Sequence, residues 1–363
     1  MLRNICLKNF KCFSSLDIAL GSLNVFSGIN GMGKSSVLQS LLLLKQSSER
    51  GFYPQNILLN GEYVGLGTGK DILYENAEIE EIAININSDS SNINVTIPYI
   101  SDADILAVSK LEGTLNELFD VQFEYLNAER LSPKTSYEKS SYYVDIKSQL
   151  GVNGQYTAHY LAKHQDDILS WKNCDSYFSN NTLRENLQFW LNEISPNIKL
   201  NISEIEYADL AQINYYFGDA SDAIKSNKFR PTNIGFGVSY CLPVITAALK
   251  AEQGSILIIE NPEAHLHPKG QRKIGELLAK CACNGTQVFL ETHSDHVMNG
   301  IRIAVKRKVI NCTDVKMYYF EKNIVSGVAQ HTVQNPQILE NGKLNFWPDG
   351  FFDEWEKSLD EII

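Results

Sequence analysis

No stretch of the chain approaches the ~18 consecutive apolar residues that a membrane-spanning helix needs. The longest apolar candidates, Leu41–Leu44 and Ile256–Ile259, have the length of core segments. The opening M-L-R-N-I-C-L-K-N-F lacks a basic region followed by a continuous apolar stretch, so no secretory signal is expected. A cytoplasmic protein without membrane contact is the expectation. Cysteine is sparse: the seven residues are odd in number and lack zinc spacing. Cys281 and Cys283 form a C-x-C with no second pair, and reduced thiols are expected. Positive charge is also short, with 32 Lys and Arg against 43 Asp and Glu and a net charge of −11. That argues against a protein wrapped in nucleic acid, because non-specific DNA binding is driven by basic surface. A local basic patch stays open, so DNA remains an option that the charge does not indicate. A protein partner fits at least as well. Internal repeats and long low-complexity tracts are absent too.

What is present is an ordinary globular composition, 44% hydrophobic and 21% charged, in 363 residues. That length allows a well-buried core and two or three domains or lobes. Residues 2–9 and Leu23–Ser27 read as strands, and Ser35–Gln46 has an apolar helical pattern. Ile82, Ile84 and Ile86, then Ile93, Val95 and Ile97, alternate with polar residues around a turn-forming stretch, which predicts a β-hairpin. Val121, Phe123 and Tyr125 alternate likewise. Residues 134–220 are polar and less periodic, with a helix expected at Leu183–Ile194. From Pro231 on, helices alternate with short buried strands (Ser255–Ile259, Thr286–Glu291 and Val315–Phe320), the pattern of a parallel α/β core. The expected division is a first core part over 1–130, an inserted helical or lid-like lobe over 131–224, a second core part over 225–325 and a C-terminal segment over 326–363.

Residues 28–35 read G-I-N-G-M-G-K-S, which fits the phosphate-binding loop G-x-x-x-x-G-K-[S/T] with a strand before it and a helix after it. Its glycines let main-chain N–H groups cradle phosphates, and the helix start adds a positive dipole end. Lys34 is expected to reach the outer phosphates and Ser35 to ligate Mg²⁺. The expected nucleotide contacts are Asn30, Gly31, Gly33, Lys34, Ser35 and Ser36, beside Gly28. Residues 256–263, I-L-I-I-E-N-P-E, form an apolar strand ending in an acid, and Glu260 is expected to support the metal. A-H-L-H-P at 264–268 and E-T-H-S-D-H at 291–296 admit two readings. One is a metal site holding His265, His267, His293 and His296. The other makes His293, just past a strand, a switch residue near the terminal phosphate. N-I-G-F-G-V-S-Y at 233–240 carries glycines and a serine at the start of a helix, a place where main-chain N–H groups can meet a phosphate.

These motifs together resemble the ABC-type ATPases related to RecF, the structural-maintenance-of-chromosomes (SMC) proteins and the overcoming-lysogenization-defect (OLD) nucleases. More narrowly, the chain is similar to stand-alone bacterial AAA family ATPases carrying E-N-P-E-A-H-L-H-P and E-T-H-S-D-H. The opening I-x-L-K-N-F-K-x-F, Y-L-N-A-E-R at 125–130 and the closing W-P-D-G-F-F-D-E-W belong to the resemblance, whereas 134–220 match nothing. The resemblance implies a P-loop NTPase of ABC type with a split head, a mixed sheet and flanking helices. It implies ATP and Mg²⁺ as cofactors, with Ser35 and Glu260 at the metal. It makes Gly237 and Ser239 a signature loop that caps a partner copy's nucleotide, so that two copies close around ATP. Phe10 or Phe13 would lie near the adenine and Arg130 near the phosphates or the insertion. The output would pass to an effector protein, in anti-phage defence or DNA repair. A non-hydrolysing ATP sensor or scaffold and a RecF-like repair ATPase are the alternatives.

The chain departs from the pattern in three places. Asn261 stands where ABC-type enzymes usually carry a catalytic glutamate, and an amide cannot act as a general base. Glu263 is therefore the candidate for orienting water. Tyr240 ends the signature loop where related chains often have Gln, and Gln46 lies too close to Lys34 to be assigned as a Q-loop glutamine. Only 70 residues follow His293, without the acidic cluster of the OLD nucleases, so nuclease activity in this chain is not expected.

Overall fold

The computed structural model describes residues 1–169, 171, 181–218, 226–325, 328–351 and 354–362. Two compact units divide the chain. Unit 1 comprises 1–121, 313–337 and 344–363, and unit 2 comprises 122–312 and 338–343.

The chain enters unit 1 through β1 (Leu2–Phe10), β2 (Phe13–Ala19) and β3 (Leu23–Gly28), followed by α1 (Lys34–Glu49). Then come β4 (Asn56–Leu58), the single-turn α2 (Gly69–Ile72), β5 (Glu81–Ser88), β6 (Asn92–Pro98), β7 (Ile105–Ala107), β8 (Lys110–Gly113) and the short α3 (Asn116–Phe119). An antiparallel sheet runs β2-β1-β5-β6-β8. The expected hairpin is β5–β6, with Ile82 opposite Ile97, Ile84 opposite Val95 and Ile86 opposite Ile93. All six are buried, which is why the period-two pattern was readable. On α1, Gln46 is fully enclosed. Its amide donates to the Leu58 carbonyl, and its oxygen accepts the N–H of Val64 at 3.0 Å, so it clamps a loop.

Unit 2 opens with β9 (Phe123–Leu126) and β10 (Tyr137–Glu138), then α4 (Thr157–His164) and α5 (Leu183–Ile194). Thr182 and Glu185 form a reciprocal capping box that starts α5 where the sequence places it. β11 (Ile198–Ile205) and β12 (Leu210–Phe217) follow as an antiparallel hairpin. Residues 131–224 thus include this hairpin besides α4 and α5. β11 buries only Ile198 outright, so alternation is faint along it. The unit continues through α6 (Phe236–Lys250), β13 (Ile256–Glu260), α7 (Pro268–Cys283), β14 (Gln287–Glu291) and α8 (Asp295–Lys306). β14, β13 and β9 form parallel ladders, with Glu260 beside Glu291 in register. Their near-continuous apolar runs are what strands covered on both faces require. At the far end of α6, Lys250 pairs with Glu124 of β9 at 2.7 Å, both side chains almost wholly enclosed. Burial raises the Glu124 pKa against the opposing pull of Lys250.

The chain returns to unit 1 as β15 (Val315–Val325), β16 (Val328–Gln334) and α9 (Glu354–Ile362). β15 runs parallel to β3, and β16 folds back antiparallel on β15. Formal charge is shared unequally. Unit 1 holds 11 Lys and Arg against 22 Asp and Glu, so the whole net charge of −11 falls there, whereas unit 2 holds 21 of each. Among the described residues no helix is long and apolar enough to cross a membrane.

Candidate functional site

In unit 1 the loop between β3 and α1 is built on three glycines with left-handed or near-extended positive φ: Gly28 (139°), Gly31 (79°) and Gly33 (101°). Two of them are needed for space as well. A Cβ at Gly28 would stand 2.3 Å from the Phe320 carbonyl oxygen, and one at Gly33 2.6 Å from both Cys12 Sγ and the Phe13 ring. A Cβ at Gly31 would meet nothing within 4 Å, so that face of the loop is open. Lys34 is buried, and its Nζ donates to the carbonyls of Gly28 (2.8 Å) and Ile29 (2.9 Å). Asn30 and Gly31 are exposed, Ser35 is half-buried and Ser36 is buried. No acidic residue occupies the first turn of α1. A helix start with no side-chain cap and no acid in its first turn, preceded by positive-φ glycines and a lysine, fits a polyphosphate. Phe10 and Phe13 are both buried core residues, so neither offers a ring face to a base.

In unit 2 the turn after β13 gathers the acids. Glu260 accepts the Tyr125 hydroxyl at 2.9 Å and the Ala128 N–H at 3.3 Å. Arg130 is buried and grips the main chain of the same turn, donating to the carbonyls of Glu260 (2.6 Å) and Asn261 (2.9 Å). Burial brings its pKa down to about 10, with Glu263 and Glu260 pulling the other way, so it stays charged at neutral pH. Asn261 adopts φ 44° and donates its N–H to the Glu291 carbonyl. Glu263 accepts the Thr292 hydroxyl at 2.8 Å and the His293 N–H at 2.7 Å. Burial raises the pKa of both Glu260 and Glu263, outweighing the donors around them. Such half-buried carboxylates are suited to a cation, which would offset the cost of keeping them charged. Tyr125, Arg130 and the Glu263 link are tertiary contacts across as many as 135 residues, and only Y-L-N-A-E-R hinted at the first two.

His293 and His265 are exposed. His267 is the N-cap of α7, and His296 lies 3.6 Å from Asp295. Among the described residues no three His, Cys, Asp or Glu side chains are grouped to hold a metal ion, so the histidine motifs do not assemble one. The first turn of α6 carries Gly235, exposed Phe236 and Gly237. A Cβ on Gly237 would stand 2.4 Å from the His265 carbonyl oxygen. Tyr240 and Phe236 pack around the His265 ring at 4.7 and 5.8 Å. Ser239 points inward: it is buried, with its hydroxyl beside Tyr215.

The chain has the fold of the ABC-type P-loop ATPases. The chain belongs to the family described as "AAA domain, putative AbiEii toxin, Type IV TA system", which matches residues 23–299. Residues 310–362 match a second family, described as a protein of unknown function (DUF3696). No curated protein matches. Among solved structures, an Smc head bound to the C-winged helix domain of ScpA is 13% identical, with 92% of this chain and 98% of that chain covered and a TM-score of 0.53. That likeness shows the fold. An SMC head domain from Thermotoga maritima is 12% identical over 91% and 98% of the two chains, with a TM-score of 0.45. An Smc head with an extended coiled coil derived from Pyrococcus furiosus, bound to the C-terminal domain of ScpA, is 12% identical over 99% and 99%, with a TM-score of 0.48.

Proposed function

We propose that the chain hydrolyses ATP slowly, closes as a dimer around the nucleotide and passes that change to a partner protein. The observation that carries this reading is the P-loop: positive-φ glycines and Lys34 at a helix start whose first turn holds no acid. When bound, Mg²⁺ would offset the charge of the phosphates; Ser35 in unit 1 is assigned to hold it, and Glu260 in unit 2 is the carboxylate assigned to the metal. Tyr125 and Ala128 orient Glu260, and Arg130 fixes the main chain beneath it. Asn261 cannot take a proton, so turnover is expected to be slow, with Glu263 and His293 completing the acidic turn. Glu263 has both oxygens engaged by donors, which favours a second reading in which the chain holds ATP chiefly as a sensor.

For dimer closure, the first turn of α6, Gly235 to Gly237 with Ser239 behind it, is the surface assigned to the partner copy's nucleotide. ATP that bridges two copies binds the closed state preferentially and so shifts the population toward it. The family's description names a type IV toxin–antitoxin system, which supports a role in bacterial defence. The test is solution mass by light scattering, with and without Mg²⁺ and a non-hydrolysable ATP analogue, for wild type and Phe236→Arg. Phe236 is the residue to change, because it is 56% exposed whereas an arginine at Ser239 would be forced into the core. Analogue-driven association that Phe236→Arg blocks is the expected result. A mass that ignores nucleotide in both proteins would sink the sandwich.

A further inference from the structure

We propose that His331, on β16 of the C-terminal segment, forms with the groove beside it the subsite for the nucleoside part of the nucleotide. The inference rests on the P-loop reading and extends it to a stretch whose family has no assigned function. β16 is the strand beyond β15, and β15 pairs with β3, which ends in the P-loop. That order brings His331 to the loop itself. Its imidazole lies at the main chain of Gly31 and Cys12, and its ring meets Phe13 edge to face at 6.1 Å. Its Nδ1 is shielded from solvent and has no well-aligned hydrogen-bond partner among the described residues.

A groove of about 400 Å³ starts at this ring, lined by Ser15 and Asp17 of β2, Tyr318 of β15, and Thr332 and Asn335. Ser15 and Asn335 supply donors and acceptors for a base edge and a sugar, and Asp17, which accepts the Asn4 amide, keeps further acceptor capacity. The Tyr318 and Thr332 hydroxyls, by contrast, donate to Ala19 and Glu321, and Phe10 and Phe13 are sealed in the core. Burial, with Lys322 nearby, lowers the His331 pKa, so the ring is neutral at physiological pH and stacks without a charge to desolvate. A phosphate caught at the P-loop and a base on His331 would both lie within unit 1.

The test compares two probes by calorimetry on the full chain: Mg-ATP, and inorganic tripolyphosphate, which has the phosphates alone. His331→Ala is expected to weaken ATP about tenfold, the low end of what base stacking on an aromatic side chain contributes, and to leave tripolyphosphate unchanged. His331→Phe should retain most of the ATP affinity. Asn335→Trp, a change at an exposed groove position, should fill the groove and weaken ATP alone. It decides the matter if His331→Ala does not fold. Equal losses for both probes would mean that His331 merely braces the loop, and unchanged ATP binding in both variants would leave the groove without a role. Either result overturns the subsite. A wild type that binds tripolyphosphate as tightly as ATP overturns the subsite while sparing the P-loop. A wild type that binds neither probe removes the P-loop reading and the subsite together.

Discussion

The Glu263 carboxylate accepts the main-chain N–H of His293 at 2.7 Å, so the turn after β13 and the turn after β14 are tied through one side chain. Glu263→Ala removes that acceptor and the one used by Thr292. ATP turnover is expected to fall by about 100-fold, the scale set by a misplaced catalytic group, with nucleotide affinity nearly intact. Phosphate release and calorimetry measure the two quantities. Glu263→Gln keeps one acceptor oxygen and should fall between wild type and alanine. A glutamine variant as inactive as the alanine variant would instead make the carboxylate itself the base.

Arg130 makes two main-chain hydrogen bonds from inside the core. Arg130→Ala leaves the Glu260 and Asn261 carbonyls without these partners and should cost roughly 3 kcal/mol, read as a lower denaturant midpoint at unchanged slope. Arg130→Lys should recover less than half, because an ammonium does not present a two-pronged fork. Full recovery by lysine would show that the charge alone matters.

Gly31 and Gly33 both have positive φ, but their surroundings differ. Gly33→Ala adds overlap with Cys12 and Phe13 to the backbone strain and should cost roughly 2 kcal/mol or more as well as nucleotide binding. Gly31→Ala meets no neighbour and should cost only about 1 kcal/mol from its left-handed conformation. Thermal melts with and without nucleotide compare the pair. Equal destabilisation would contradict the contacts at Gly33.

The raised pKa of Glu260 has a definite sign in stability. A carboxyl whose pKa is higher folded than unfolded holds more protons in the folded state. Its contribution is therefore present below the unfolded value and lost as pH rises through the folded one. Glu260→Gln does not titrate, so the melting temperature of the variant minus that of wild type should grow as pH rises from 4 to 8. A flat difference over that range would mean that Glu260 is not raised.

Much of the core was legible because its signals are local. Ile256–Ile259 announces a strand covered on both faces, and G-I-N-G-M-G-K-S carries its own turn geometry in its glycines. The site's supports were not legible in the same way. Nothing near Gln46 in the sequence marks it as the clamp of the 58–64 loop, and Glu263 could be named as an acid but not as the acceptor for His293. Ser239 looked like a loop residue because serine and glycine favour helix starts. Whether it faced outward or inward depended on Tyr215, which lies on a hairpin whose first strand scarcely alternates. His331 sits in no motif, and only the pairing of β15 with both β3 and β16 reveals its position.

The confinement of the net charge to unit 1 bears on how copies of this chain meet. Two copies approaching with their first units face to face bring two fields of the same sign together. An approach of one copy's first unit toward the other's second unit sets an acidic surface against a neutral one whose α7 and α8 are rich in Lys and Arg. If two copies associate as proposed, their encounter would be sorted by orientation before any contact forms, in favour of the head-to-tail arrangement. The sorting reaches about 8 Å at physiological ionic strength and shortens as salt is added. Salt therefore acts on the geometry of encounter as well as on its rate.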